Sequence, residues 1–207
     1  MKVGRKTWLG GAVAAVAIAA SVPAAGADSE LRWGTATLST RGAAKVPHVF
    51  ERLGAPAHSS AVALVWRGTI ANDGVKILLG ARNEVVLITH PPTRLAPGTP
   101  CARVSQHKIR CFPGSVSVFS GNTGPGNDRL KAAKRFPIPI GMGGYFGRDR
   151  LKGGGAGDLL LGQQGADRLK GGRGRDGVAG GPGPDRLNGG AGKDVVKGGP
   201  GNDRKRG

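Results

Sequence analysis

Seven aspartates, Asp149, Asp158, Asp167, Asp176, Asp185, Asp194 and Asp203, stand nine residues apart without a break. Carboxylates repeated at one period are candidate ligands for a hard cation such as Ca²⁺, which takes about six to eight oxygens at about 2.3–2.6 Å. One aspartate cannot supply that many, so the rest must come from backbone carbonyls and neighbouring copies. Cut every nine residues from position 144, the chain reads GYFGRDRLK, GGGAGDLLL, GQQGADRLK, GGRGRDGVA, GGPGPDRLN, GGAGKDVVK and GGPGNDRKR. Three copies over 171–197 keep glycine at the first, second and fourth positions: Gly171, Gly172 and Gly174; Gly180, Gly181 and Gly183; Gly189, Gly190 and Gly192. Glycine adopts φ > 0 at little cost, so these positions predict tight turns that aim carbonyls toward the same place as the carboxylate. An aliphatic residue stands eighth in six copies: Leu151, Leu160, Leu169, Val178, Leu187 and Val196. An isolated copy, TGPGNDRLK, spans Thr123 to Lys131.

This pattern resembles the Gly-Gly-x-Gly-x-Asp-x-aliphatic-x motif of RTX (hemolysin-type) calcium-binding repeats, over about a third of the chain. The resemblance implies a parallel β-roll in which successive repeats alternate between two sheets, with Ca²⁺ between turns two repeats apart. Carried over to this chain, it pairs Asp149 with Asp167, Asp167 with Asp185 and Asp185 with Asp203. On the other edge it pairs Asp158 with Asp176 and Asp176 with Asp194, for five internal sites. The eighth residues then form the core. Burying six such side chains contributes about 1.5–3 kcal/mol each, against about 1–2 kcal/mol of backbone entropy for every ordered residue. Metal binding and folding are therefore expected to be one event. Some positions depart from the motif: Tyr145 and Phe146 follow Gly144, Gln163 replaces the second glycine, Ala156 the fourth, and Lys205 an inward aliphatic.

The array is unusual in charge. It holds 13 Lys and Arg against seven Asp within 144–207, in a chain of formal net charge +18. Nearby cations oppose a second positive charge, so weaker calcium binding than in an acidic array is expected. Seventh and ninth positions flank the inward residue and should face outward. On one sheet that builds a basic ladder from Arg150, Lys152, Arg168, Lys170, Arg186, Arg204 and Arg206. On the other, Leu159, Leu161, Gly177, Ala179 and Val195 leave a largely apolar face. The ladder suits an anionic cell-envelope polymer as an alternative working partner, although a solvated face is the commoner origin of such a run.

The rest of the chain must position this array. Lys2, Arg5 and Lys6 precede an uncharged apolar run from Leu9 to Val22, then Pro23 and Ala25-Gly26-Ala27. Residues 1–27 therefore read as a secretory signal peptide, implying a secreted or cell-surface protein with no transmembrane segment after cleavage. In an oxidising compartment Cys101 and Cys111 are expected to close a disulfide across a hairpin that turns at Ser105 to Lys108. Residues 28–60 show no clear period. Ala61 to Ile70, Val75 to Leu79 and Val85 to Thr89 read as strands separated by Asn72-Asp73-Gly74 and Ala81-Arg82-Asn83. Residues 28–120 thus predict a small antiparallel β unit, 121–143 the isolated repeat and an irregular linker, and 144–207 the roll. The fold class is all-β.

No catalytic constellation stands out, so the chain is read as non-enzymatic. The G-x-G-x-x-G of residues 172–177 lies within the nine-residue register, without strand–helix context. His48, His58, His90 and His107 lack metal-ligand spacing to one another. With Tyr145 the only tyrosine and 4% aromatic residues, stacking platforms for specific nucleic-acid binding are scarce.

Overall fold

The computed structural model describes residues 36–41, 63–69, 72–90, 92–95, 100–112, 116 and 118–207. The expected signal segment 1–27 lies outside them. The described residues form strands and no helix. In the first part these are β1 (Ala36–Arg41), β2 (Ala63–Arg67), β3 (Gly74–Leu79), β4 (Val85–His90), β5 (Thr93–Leu95), β6 (Cys101–Ser105) and β7 (Lys108–Cys111). Then come β8 (Val118–Asn122), β9 (Arg129–Ala132), β10 (Ile140–Gly147), β11 (Arg150–Lys152) and β12 (Leu159–Gly165). The chain ends with β13 (Arg168–Arg173), β14 (Gly177–Ala179), β15 (Arg186–Ala191), β16 (Val195–Lys197) and β17 (Arg204–Arg206).

Successive repeats alternate between two sheets. One has the order β16-β14-β12-β10-β8-β2-β1-β5, the other β17-β15-β13-β11-β9-β3-β4-β7-β6. Within the repeats every pairing is parallel and shifted by 18 residues: Leu151 faces Leu169, Leu169 faces Leu187, Leu160 faces Val178, and Val178 faces Val196. These side chains point between the sheets. Leu151, Leu160, Leu169, Val178 and Leu187 are buried, and Val196 packs partly against them. Lys205 continues the column opposite Leu187 and is exposed, so the final turn leaves the end of the core open to water.

The roll begins well before the uninterrupted repeats. Strand β9, from the isolated copy, pairs in parallel register with β11, and β10 carries the chain through 140–147 between β8 and β12. The stretch 132–143 read as an irregular linker is therefore strand at its two ends, residue 132 and residues 140–143, and irregular over 133–139. Farther back, β2 and β3 join in parallel to β8 and β9. The expected antiparallel unit holds only outside this point, where β1 pairs antiparallel with β2 but parallel with β5, and β3, β4, β7 and β6 pair antiparallel in that order. The physical reason is a shared core. Leu64, Trp66, Val75, Ile77, Phe119, Leu130, Ile140 and Met142 belong to the same apolar cluster as the repeat leucines, and a sheet edge left unpaired there would expose a row of backbone groups.

Cys101 and Cys111 lie opposite each other in the β6–β7 hairpin and are joined by a disulfide. Leu159 and Leu161, expected on the largely apolar outer face, are buried. Only Gly177, Ala179 and Val195 remain half-exposed on that side. His90 and His107 stack at 4.3 Å, across the β4–β7 region that brings them together.

Candidate metal centre

Each sixth-position aspartate lies just before an outward arginine or its equivalent, at the corner where the chain enters a strand. Its backbone carbonyl accepts from the residue 19 positions on: Arg168 N–H to Asp149 O, Arg186 N–H to Asp167 O, Arg204 N–H to Asp185 O and Val195 N–H to Asp176 O, all at 2.8 Å. Its side chain takes part in a second ladder. The amide of Asp149 donates to Oδ1 of Asp167 at 2.8 Å, Asp167 to Asp185 at 2.9 Å, and Asp185 to Asp203 at 3.0 Å. On the other edge Asp158 donates to Asp176 at 2.8 Å and Asp176 to Asp194 at 2.9 Å. The five pairs implied by the family resemblance are thus neighbours along the two edges.

Oδ1 is therefore used, and Oδ2 is left over. In Asp149, Asp167, Asp176, Asp185 and Asp194 this oxygen is buried and accepts no hydrogen bond. An unsatisfied buried polar atom costs on the order of 1–3 kcal/mol. Burial pushes the carboxyls up from their ordinary range, to about 7 for Asp149 and Asp176 and about 6 for Asp167. Asp185 is raised for the same reason. A cation would satisfy both oxygen and charge.

The first-position glycines explain the cradle. A methyl group at Gly162 would overlap Oδ2 of Asp167 and lie 2.6 Å from the carbonyl oxygen of Gly180. Gly144, Gly153, Gly171, Gly180, Gly189 and Gly198 face their own aspartates in the same way. These first positions do not have positive φ; the left-handed residues are at positions two and four, as at Gly172 (φ 132°) and Gly174 (φ 106°). The sequence expectation that all three glycines serve backbone freedom is corrected accordingly. Gly181, Gly183, Gly190 and Gly192 follow the left-handed pattern, whereas Gly171, Gly180 and Gly189 are glycine because the carboxylate occupies the space of a side chain.

Tyr145 (φ 82°) and Gln163 (φ 72°) hold this same left-handed second position without being glycine. Residues with a Cβ are strained there. The turn geometry overrides their preference, because each pairs in register with its neighbour in the stack. Among the described residues no three His, Cys, Asp or Glu side chains converge on one point. Any cation here must take most of its oxygens from backbone carbonyls, such as those of Gly162, Gly180 and Gly198 on one edge and Gly171 and Gly189 on the other. The donor set is entirely oxygen, which suits Ca²⁺ rather than a softer metal.

Two aspartates of this geometry were not among the sequence candidates. Asp128 and Asp73 precede Asp149 on the same edge: the amide of Asp128 donates to Asp149 Oδ1 at 2.8 Å, and that of Asp73 to Asp128 Oδ1 at 2.7 Å. Asp128 belongs to the isolated copy and was legible. Asp73 was read only as a turn residue, although GTIANDGVK at 68–76 places an aspartate sixth and an aliphatic eighth.

Residues 143–178 and 178–204 match the family model of the RTX calcium-binding nonapeptide repeat. No curated protein and no solved structure matches the chain. The C-terminal segment is an array of RTX calcium-binding repeats, and Ca²⁺ is the ion such repeats take.

Proposed function

We infer that this calcium-binding repeat protein is exported and acts by binding rather than catalysis, its roll being closed by Ca²⁺ held between stacked turns. The observation that carries this is the row of buried, unpartnered aspartate Oδ2 atoms facing side-chain-free glycines. The residues proposed to hold the ion are Asp149, Asp167, Asp176, Asp185, Asp194 and Asp203 with the carbonyls around them; Asp158 is treated separately below. Export is supported by the basic, apolar and small-residue succession of 1–27 and by the disulfide, a bond that persists in oxidising compartments. Among the described residues no helix is long and apolar enough to cross a membrane. Calorimetry of the full chain with Ca²⁺, alongside circular dichroism, tests the reading. Heat of binding with a gain of β signal or of thermal stability is expected, and the absence of both at millimolar Ca²⁺ would sink it.

A second reading is favoured by the basic columns. Parallel pairing sets Arg129, Arg150, Arg168, Arg186 and Arg204 in one file and Lys131, Lys152 and Lys170 in another. Like charges directly across strands are destabilising, at a strand spacing of about 4.8 Å. A groove of about 390 Å³ beside the second file is lined by Lys134, Lys152, Lys170, Arg173 and Arg206. This surface fits an anionic cell-envelope polymer, with calcium serving the fold beneath. Replacing Arg150, Arg168, Arg186 and Arg204 by Ser should abolish salt-sensitive retention on a teichoic-acid matrix and leave calcium stoichiometry intact. Undiminished retention would remove the ladder from consideration.

A further inference from the structure

The two ends of the aspartate ladders are closed differently from their middles, and the difference separates ion-holding turns from self-sufficient ones. In residues 68–76 and 153–161 the second-position amide turns inward. Thr69 N–H donates to Oδ2 of Asp73 at 2.6 Å, and Gly154 N–H donates to Oδ2 of Asp158 at 2.6 Å. The Thr69 hydroxyl also donates to Oδ1 of Asp73 at 2.8 Å. Neither Thr69 nor Gly154 has positive φ, whereas Gly124, Tyr145, Gln163, Gly172, Gly181 and Gly190 all do. The corresponding aspartates, Asp128, Asp149, Asp167, Asp176, Asp185 and Asp194, are the ones whose Oδ2 is buried with no partner. A left-handed second residue and an orphaned carboxylate oxygen therefore occur together at six turns and both are missing at two, while in the last turn Gly199 is left-handed and Asp203 is only half-buried.

We propose that the left-handed second residue defines the ion-holding turn, so that the calcium edge extends N-terminally to Asp128, outside the RTX-matched segment, while Asp73 and Asp158 are metal-free caps. This rests on the calcium reading above and changes its register. Asp128 is 1% exposed, and its turn is stacked on that of Asp149 through Gly126 and Gly147, whose backbones touch closely. Thr123 replaces the first-position glycine. Its hydroxyl donates to the Gly144 carbonyl at 2.8 Å and lies beside the Asp128 carboxyl. Its single proton cannot serve both acceptors at once. With the proton on Gly144, the hydroxyl oxygen and Asp128 Oδ2 stand together as donors for a cation. At Asp158 the Gly154 amide occupies that role. This turn also packs on residues outside the period: an added methyl at Gly154 would lie 2.9 Å from Phe136, and the Gly155 amide donates to the Phe136 carbonyl at 2.8 Å.

Equilibrium dialysis of ⁴⁵Ca²⁺ on the full chain, with Asp128→Asn and Asp158→Asn compared with the unaltered protein, tests this. Asparagine keeps an acceptor for the amide ladder and removes the charge. Asp128→Asn should bind one ion fewer, and Asp158→Asn should bind the full number. Full stoichiometry in Asp128→Asn, or loss of an ion in Asp158→Asn, overturns the proposal. An unaltered protein that binds no calcium would instead bring down the calcium reading itself. Should Asp128→Asn fail to fold, hydrogen exchange on the unaltered chain decides the matter. Calcium should slow amides in 123–128 as it slows those in 162–167, and slowing confined to 162–167 refutes the extension.

Discussion

Along one edge of the roll the sixth-position column reads Asp73, Asp128, Asp149, Asp167, Asp185, Asp203; along the other it reads Leu64, Phe119, Ile140, Asp158, Asp176, Asp194. The backbone treats both columns alike. The amide of Ile140 donates to Oδ1 of Asp158 at 2.8 Å, just as the amide of Asp128 donates to Asp149. What differs is the filling. Leu64, Phe119 and Ile140 are fully buried apolar side chains that need nothing further, whereas the aspartates at equal depth leave oxygens without donors. The same solenoid frame is thus filled by apolar side chains at some turns and by buried carboxylates at others.

The largest effect that would test this contrast is removal of calcium. Chelation should lower the melting temperature of the full chain in calorimetry and shift the loss toward the repeat end, where the apolar column is absent. Its pH dependence follows from the raised carboxyls. A buried carboxyl whose folded pKa lies above its unfolded value of 3.8 binds its proton more tightly in the folded chain. Its contribution is full below that value and is lost as pH rises through about 6 to 8, the range given by Asp167, Asp149, Asp176 and Asp158. The metal-free protein should therefore melt higher at pH 5 than at pH 8. Calcium should reverse that order, because the ion requires the charged form and releases protons on binding. An unchanged order would break the comparison.

Phe119→Ala should cost about 3–5 kcal/mol in chemical denaturation, and the same amount with or without calcium. Asp185→Asn should do the opposite, removing stability only when calcium is present and changing little in its absence. Equal calcium dependence for both would show that the two columns are not distinct devices. Gly162→Ala places a methyl against Asp167 Oδ2. It should destabilise the chain by about 1–3 kcal/mol and weaken calcium uptake, as dialysis would show. The smallest effect should come from Gln163→Gly, which relieves a left-handed residue with a Cβ and should gain up to about 1 kcal/mol.

Much of the roll was legible because its contacts are periodic. The nine-residue register, with the two-sheet alternation implied by the RTX resemblance, fixes which aspartates, leucines and arginines become neighbours, and the inward column with its basic outer files follows from strand alternation. The caps were not legible. The copy at 153–161 departs from the motif at Ala156, and its aspartate is satisfied by Gly154. GYFGRDRLK departs from the motif and still keeps an orphaned Asp149 Oδ2 with Tyr145 at φ 82°. Whether an oxygen finds a donor depends on what packs on the turn, and Phe136 lies outside the period.

The sequence by itself therefore determined the all-β class, the nine-residue register of aspartates and inward aliphatics and the cysteine pair, while the two-sheet alternation and the aspartate pairs 18 residues apart came from the resemblance to RTX repeats. Only the tertiary structure decided where the roll begins and which aspartates keep a buried oxygen without a partner. Asp73 meets Asp128 across 55 residues of chain, and Ile140 takes an aspartate's place in a column without resembling one. The shared apolar core and the obligation to pair every buried backbone group impose that register, and neither leaves a period in the sequence.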